Sequence, residues 1–157
     1  MTNSIKLLVP VFIAAFIYAC GGAQDPVAYN NELMTVINDN EKHIIEMNSA
    51  MNAADYAKAS EIREAWETDL KRQITQVEGI GALDGDDVLQ KGVLEGLNAY
   101  NQIVKEDYPK LIDIRANNRE DKQVEERAAL DNINEAFEKA ANAVNQASTA
   151  FEKKYTN

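Results

Sequence analysis

The sequence predicts an all-α chain, an antiparallel four-helix bundle with its third helix kinked near Pro109, and three observations carry that prediction. The last segment sets Leu130, Ile133, Phe137, Ala140, Val144, Ala147 and Phe151 at alternating spacings of three and four without exception. Three further stripes of the same period precede it, separated by short polar breaks. No stretch shows the apolar-polar alternation of a half-buried strand. Long amphipathic segments joined by short connections bury their stripes most economically against one another, in up-and-down order.

The first helix is expected to start at Asp25-Pro26, an N-cap followed by proline at the first helical position. Its stripe runs Leu33, Ile37, Ile44, Met47, Met51, and Asn40 takes the one polar slot. A polar residue there either fixes the register of the seam or lies at its edge in solvent. Asn52 to Asp55 reads as a turn, and Ala59, Ile62, Trp66, Leu70, Ile74 and Val77 mark the second helix, ending at Gly79. The stretch from Gly79 to Gly85 holds three glycines and is the clearest loop. Asp84 or Asp86 should cap a third helix read from Leu89, Val93, Leu97, Tyr100 and Val104. Pro109 should bend or restart it before Leu111, Ile112 and Ile114, and Asn117-Asn118 breaks it.

The N-terminal residues are excluded from the fold. An uncharged apolar run from Leu7 to Ile17 follows Lys6 and ends at Ala19-Cys20-Gly21-Gly22, with the only cysteine of the chain. At about 11 residues, and with Pro10 inside it, the run is short of the ~20 needed to span a membrane. Ile17-Tyr18-Ala19-Cys20 resembles the lipobox of bacterial lipoproteins, in which the signal peptide is cut before a cysteine whose thiol is then acylated. The expected division is a signal peptide over 1–19, a lipidated tether over 20–25 and a single helical-bundle domain over 26–157. The other reading is an ordinary secretory signal cut near Gly21 or Ala23. Two or three acyl chains on Cys20 would anchor the chain stably, where one would be marginal.

The charge is −10. Residues 1–19 hold one lysine and no acid, so the processed chain is more negative still. That composition excludes nucleic acid as a partner, because affinity there comes from Lys and Arg neutralising phosphates. It equally disfavours electrostatic adhesion to anionic lipid, leaving the lipid on Cys20 as the membrane contact. A lone cysteine removes disulfides and cysteine-based zinc sites.

Few residues suggest chemistry. Asp84-Gly85-Asp86-Asp87 with Glu95 has acids at the first, third and last positions of a calcium loop. Leu89 and Val88, however, stand where the turn glycine and an oxygen ligand belong, so helix capping is the preferred reading. His43 is the only histidine and Asn40 precedes it by three, so the Glu-x-x-His pairs of a di-iron bundle are missing and His43 is expected at a boundary or in solvent. Ser49 and Ser60 lack the glycine context of a nucleophile. Glu41, Glu46 and Glu64 are expected to face solvent. Met34, Met47 and Met51 read as core filling. Tyr29, Tyr100 and Tyr108 are expected at the bundle boundary, rings buried and hydroxyls wet, with a groove lined by them as the other reading. No catalytic residue, metal ligand or cofactor is predicted.

The chain resembles the small helical surface lipoproteins of unknown function found in Bacteroidota and in leptospires. The resemblance rests on the Cys20 lipobox, the Asp25-Pro26-Val27-Ala28-Tyr29-Asn30-Asn31 entry to the first helix, the Gly85-Asp86 step and the positions of Tyr100 and Tyr108. It implies a lipidated helical bundle in the cell envelope and carries no catalytic residues. The expected function is a non-enzymatic interaction or structural module, lipid-anchored at the bacterial outer membrane and meeting an envelope protein partner. The alternative is a carrier or sensor that holds a small apolar ligand between helices, in a cavity made by Gly92 and Gly96 opposite Trp66. The stripe on the last helix serves packing within one chain or between chains, which leaves the oligomeric state open.

Overall fold

A computed structural model describes residues 24–155, and within that span the chain is all-helical. The expected signal peptide, the expected lipidation site Cys20 and the glycines after it lie outside the described residues. Five α-helices follow in order: α1 (Pro26–Asn38), α2 (Asn40–Asn52), α3 (Tyr56–Ile80), α4 (Val88–Ala116) and α5 (Gln123–Tyr155), with a single 3-10 turn at Glu120–Lys122 before α5. No helix among the described residues is long and apolar enough to cross a membrane.

The first predicted helix is two helices laid end to end across Asp39. The reason lies in Asn40, whose side-chain amide donates to the carbonyls of Val36 and Ile37 at 3.4 and 3.1 Å. A side chain that satisfies these carbonyls competes with the backbone ladder and lets it break. At the start of α1, Asp25 accepts from the Val27 N–H at 3.0 Å with Pro26 beside it, as the sequence predicts. Asp55 caps α3 through the Lys58 N–H.

Between α3 and α4 the chain is more ordered than a glycine loop. The helix ends at Gly81, whose φ is +76°. Leu83 and Asp86 then exchange both backbone hydrogen bonds, at 3.0 and 2.8 Å, around Asp84 (φ +49°) and Gly85 (φ +84°). Two successive positive φ angles make a type I′ turn, for which Asp-Gly is a favoured pair. Asp84 therefore serves the turn, while Asp86 accepts from the Val88 N–H at 3.0 Å at the head of α4.

α4 runs from Val88 to Ala116 without interruption, through Pro109, rather than restarting there. The proline withholds only the N–H that the Lys105 carbonyl would have accepted. α4 carries a larger share of the buried core than any other helix, with α5 packed along one side, α3 along another, α2 on α3, and α1 across α4 and α3. Gly92 and Gly96 do not face Trp66. A side chain at Gly92 would run into Ala147 and the Ala143 carbonyl of α5, the latter at 2.9 Å, and one at Gly96 would meet Val144 and Ile37 at 3.2 and 3.3 Å. These glycines let α5 approach closely, and what they face is α5 and Ile37 rather than Trp66.

Candidate functional site

Two places gather functional-looking side chains: a buried polar cluster around Trp66, and an open cleft between α2 and α5. The cluster starts at Asn40, fully buried, which accepts from Trp66 Nε1 at 2.8 Å and donates to Gln73 Oε1 at 2.9 Å. One turn on, His43 Nε2 lies 2.8 Å from Asp69 Oδ2, and the other Asp69 oxygen accepts from Arg72 at 3.2 Å. The His43 ring stacks on Trp66 with centroids 6.0 Å apart and planes 11° from parallel.

His43 is thus 9% exposed, a correction to its expected place at the boundary or in solvent. Stripe spacing alone misplaced it because the buried face of α2 is wider than the stripe: His43 is buried beside Asn40 and Met47, and Asn40 and His43 meet Gln73 and Asp69 of α3. The hydrogen bond from His43, with help from Arg72, holds the Asp69 carboxyl below its usual range. A depressed carboxylate stabilises the fold above the ordinary Asp pKa, and that contribution is lost as the pH falls through the native value. Asp69→Asn should therefore lower stability at neutral pH and leave it less pH-dependent below about pH 4 than the parent. Denaturant titrations of both proteins at pH 7 and pH 3 check this, and an unchanged difference between the two pH values would contradict it.

Neither serine converges on His43. Ser60 donates to the Tyr56 carbonyl of its own helix at 3.0 Å, and Ser49 is exposed. Glu41, Glu46 and Glu64 are exposed, as expected. Among the described residues, no three His, Cys, Asp or Glu side chains gather as a metal site would require.

The cleft follows from the packing order. α2 packs on α3 and α5 on α4, so α2 and α5 face each other across α4 while barely touching. The trench between them comprises two hollows of about 280 and 440 Å³ that share Ile44. Met34, Ile37, Tyr100, Ala140 and Val144 line the first, with Asn38, Glu41 and Asn145 among its polar residues. Met51, Tyr108, Leu111, Leu130, Ile133 and Phe137 line the second, with Asn48, Asn52, Arg115 and Asn134. Through Met51, Asn52 and Arg115 it continues into a more polar hollow of about 460 Å³ beside the α4–α5 turn.

Met34, Ile44, Tyr100, Leu130 and Phe137 are all only half-buried, and they meet at this one seam. The floor is aromatic: Tyr100 lies 5.5 Å from Phe137, and Trp66 beneath stands 6.0 Å from Tyr100 and 5.9 Å from Tyr108. Burial raises the Tyr100 phenol and pushes Tyr108 up to about 12, so both stay protonated and uncharged at neutral pH. Tyr29 departs from the expected boundary position. It is fully buried, and its hydroxyl donates to the Gly81 carbonyl at 2.9 Å. Arg115 is held by Glu126 at 2.7 Å and Arg119 by Asp121 at 3.4 Å, which leaves the polar end of the trench with little net positive charge.

The cleft is an apolar trench with a largely amide rim, suited to binding and poor in groups that transfer protons or attack a bond. Sequence periodicity had assigned Ile44, Leu130 and Phe137 to stripes without showing that two of the stripes stay apart. No family model, curated protein or solved structure matches the chain.

Proposed function

We propose that the chain is a non-enzymatic interaction module, held at the bacterial envelope by lipid on Cys20, and that it meets its partner through the α2–α5 cleft. The cleft carries the reading. Half-buried apolar side chains aligned along a trench leave a surface that a partner can cover, and the groups around it offer no catalytic constellation. The outer membrane is the proposed location, on the lipobox and on the resemblance to envelope lipoproteins.

The fold proposed with this function is an antiparallel four-helix bundle, counting α1 and α2 as one rod. Its support is the pairing of rising with falling residue numbers: Asn40 with Gln73 and His43 with Asp69, Arg63 with Val104 and Val77 with Gln90, Asp107 with Asn132 and Arg115 with Glu126. A kink near Pro109 belongs to the same proposal and rests on the hydrogen bond that proline removes.

The second reading, a carrier for a small apolar ligand, shifts from the glycines to this cleft, and its apolar floor favours it. Mass spectrometry of the intact protein, extracted from its native membrane beside a Cys20→Ala variant, separates the two. The anchored module predicts an N-terminus at an acylated Cys20 in the parent and a soluble variant. An unmodified soluble chain that starts after Gly21 would overturn the anchor and make a diffusible carrier the better account.

A further inference from the structure

We infer that the partner element received by the cleft is an amphipathic, net-basic α-helix. The inference rests on reading the cleft as a binding surface. Along α1–α2 the lining extends from Met34 to Met51, and along α5 from Leu130 to Asn145. At 1.5 Å per residue these walls are roughly 22–25 Å long, the length of a helix of about 17 residues. Helix-in-groove recognition needs such a run, with apolar anchors at i, i+3, i+4 and i+7 laid against an apolar floor. Ile44, Tyr100 and Phe137 supply that floor midway along the trench. A compact ligand would instead want to be enclosed over most of its surface, and this trench is open along its length.

Charge selects among elongated occupants. The chain carries −10 overall, and Glu41 stands on the α2 wall as the one acid lining the apolar hollows. Arg115, the one cation lining the apolar hollows, is already paired with Glu126. An anionic amphiphile would find no spare positive charge in those hollows, and a second copy of the chain would bring the same excess of acid. A helix with Lys or Arg flanking its apolar face meets both demands.

The test uses the full mature chain and three fluorescein-labelled peptides of about 17 residues, matched to the trench at 1.5 Å per residue. One is an amphipathic Leu/Lys helix, the second its Leu/Glu counterpart, and the third a scramble of the first with the same composition and no apolar face. Fluorescence anisotropy should show the Leu/Lys helix binding at least about tenfold more tightly than either of the others. Ala141→Arg, on the exposed α5 wall, should abolish that binding, Glu41→Gln should weaken it severalfold, and Glu78→Gln on α3 should leave it unchanged. Equal binding of the scramble, or binding indifferent to Ala141→Arg, would overturn the proposal. Dodecyl maltoside below its micellar concentration serves as a parallel probe, read from the methyl resonances of Ile44 and Leu130. Detergent binding without peptide binding would overturn the helix and leave the cleft as a binding surface, whereas neither binding would overturn both.

Discussion

Asn40→Ala should destabilise the protein by about 2–6 kcal/mol, because it leaves two buried partners unsatisfied at about 1–3 kcal/mol each. Asn40 is fully buried and saturated: its oxygen accepts from Trp66 Nε1, and its amide donates to Gln73 and to the carbonyls that end α1. Alanine removes these bonds and offers no route for water to Trp66 or Gln73, which are 0% and 2% exposed. The origin of the cost is open to a direct check. In a Trp66→Phe background the orphaned indole N–H is gone, so Asn40→Ala should cost about 1–3 kcal/mol less than in the parent. Denaturant unfolding of the four proteins closes the cycle, and additivity within about 0.5 kcal/mol would contradict the account.

Gly92→Ala should cost about 1–3 kcal/mol although alanine is the better helix former. A Cβ at position 92 meets the Ala143 carbonyl at 2.9 Å as well as the Ala147 methyl, and backbone on a packed helix cannot step aside without moving α5. Gly96→Ala is the control. There the neighbours are Val144 Cγ2 and Ile37 Cδ1, at 3.2 and 3.3 Å, both of them ends of side chains that can give by a few tenths of an ångström. The gain in helix propensity, about 1 kcal/mol, should offset that adjustment and leave Gly96→Ala near neutral. Equal destabilisation of the two variants, read from thermal unfolding, would mean that α5 does not pack this closely on α4.

These two sites also mark how far the sequence could be read. The three long helices, the Asp25 cap, the turn over Asn52 to Asp55 and the stripe through Phe151 were legible because each rests on local chemistry: caps, turn residues and a period of 3.6. The partners of the glycines were not legible. Periodicity places Gly92 and Gly96 on the buried face of α4, yet only the tertiary order says that α5 rather than Trp66 lies opposite. Asn40 was legible as an anomaly in an apolar row, and the identity of its partners, Trp66 and Gln73 on α3, was not.

The candidate site was less legible for a related reason. Ile44 and Phe137 obey the same spacing as the fully buried Met47 and Phe151, and the pattern does not tell a seam that closes from one that stays open. The asparagines at its edge, Asn48 and Asn134, look like any other solvated helix positions until α2 and α5 are seen to hold apart. Tyr100 and Tyr108 came nearest to giving the site away: Tyr100 holds the expected boundary position, Tyr108 is buried instead, at 3% exposed, and both line the cleft.

Site-specific photo-crosslinking in the native cell tests most directly whether the cleft is the surface through which this protein works. A benzophenone amino acid replaces Asn48 or Asn134 at the cleft, and Thr75 on the exposed face of α3 serves as the control. A discrete crosslinked species from both cleft positions and none from Thr75 is the predicted result. Crosslinks of equal yield from all three positions, or from Thr75 alone, would contradict the cleft as the interaction surface.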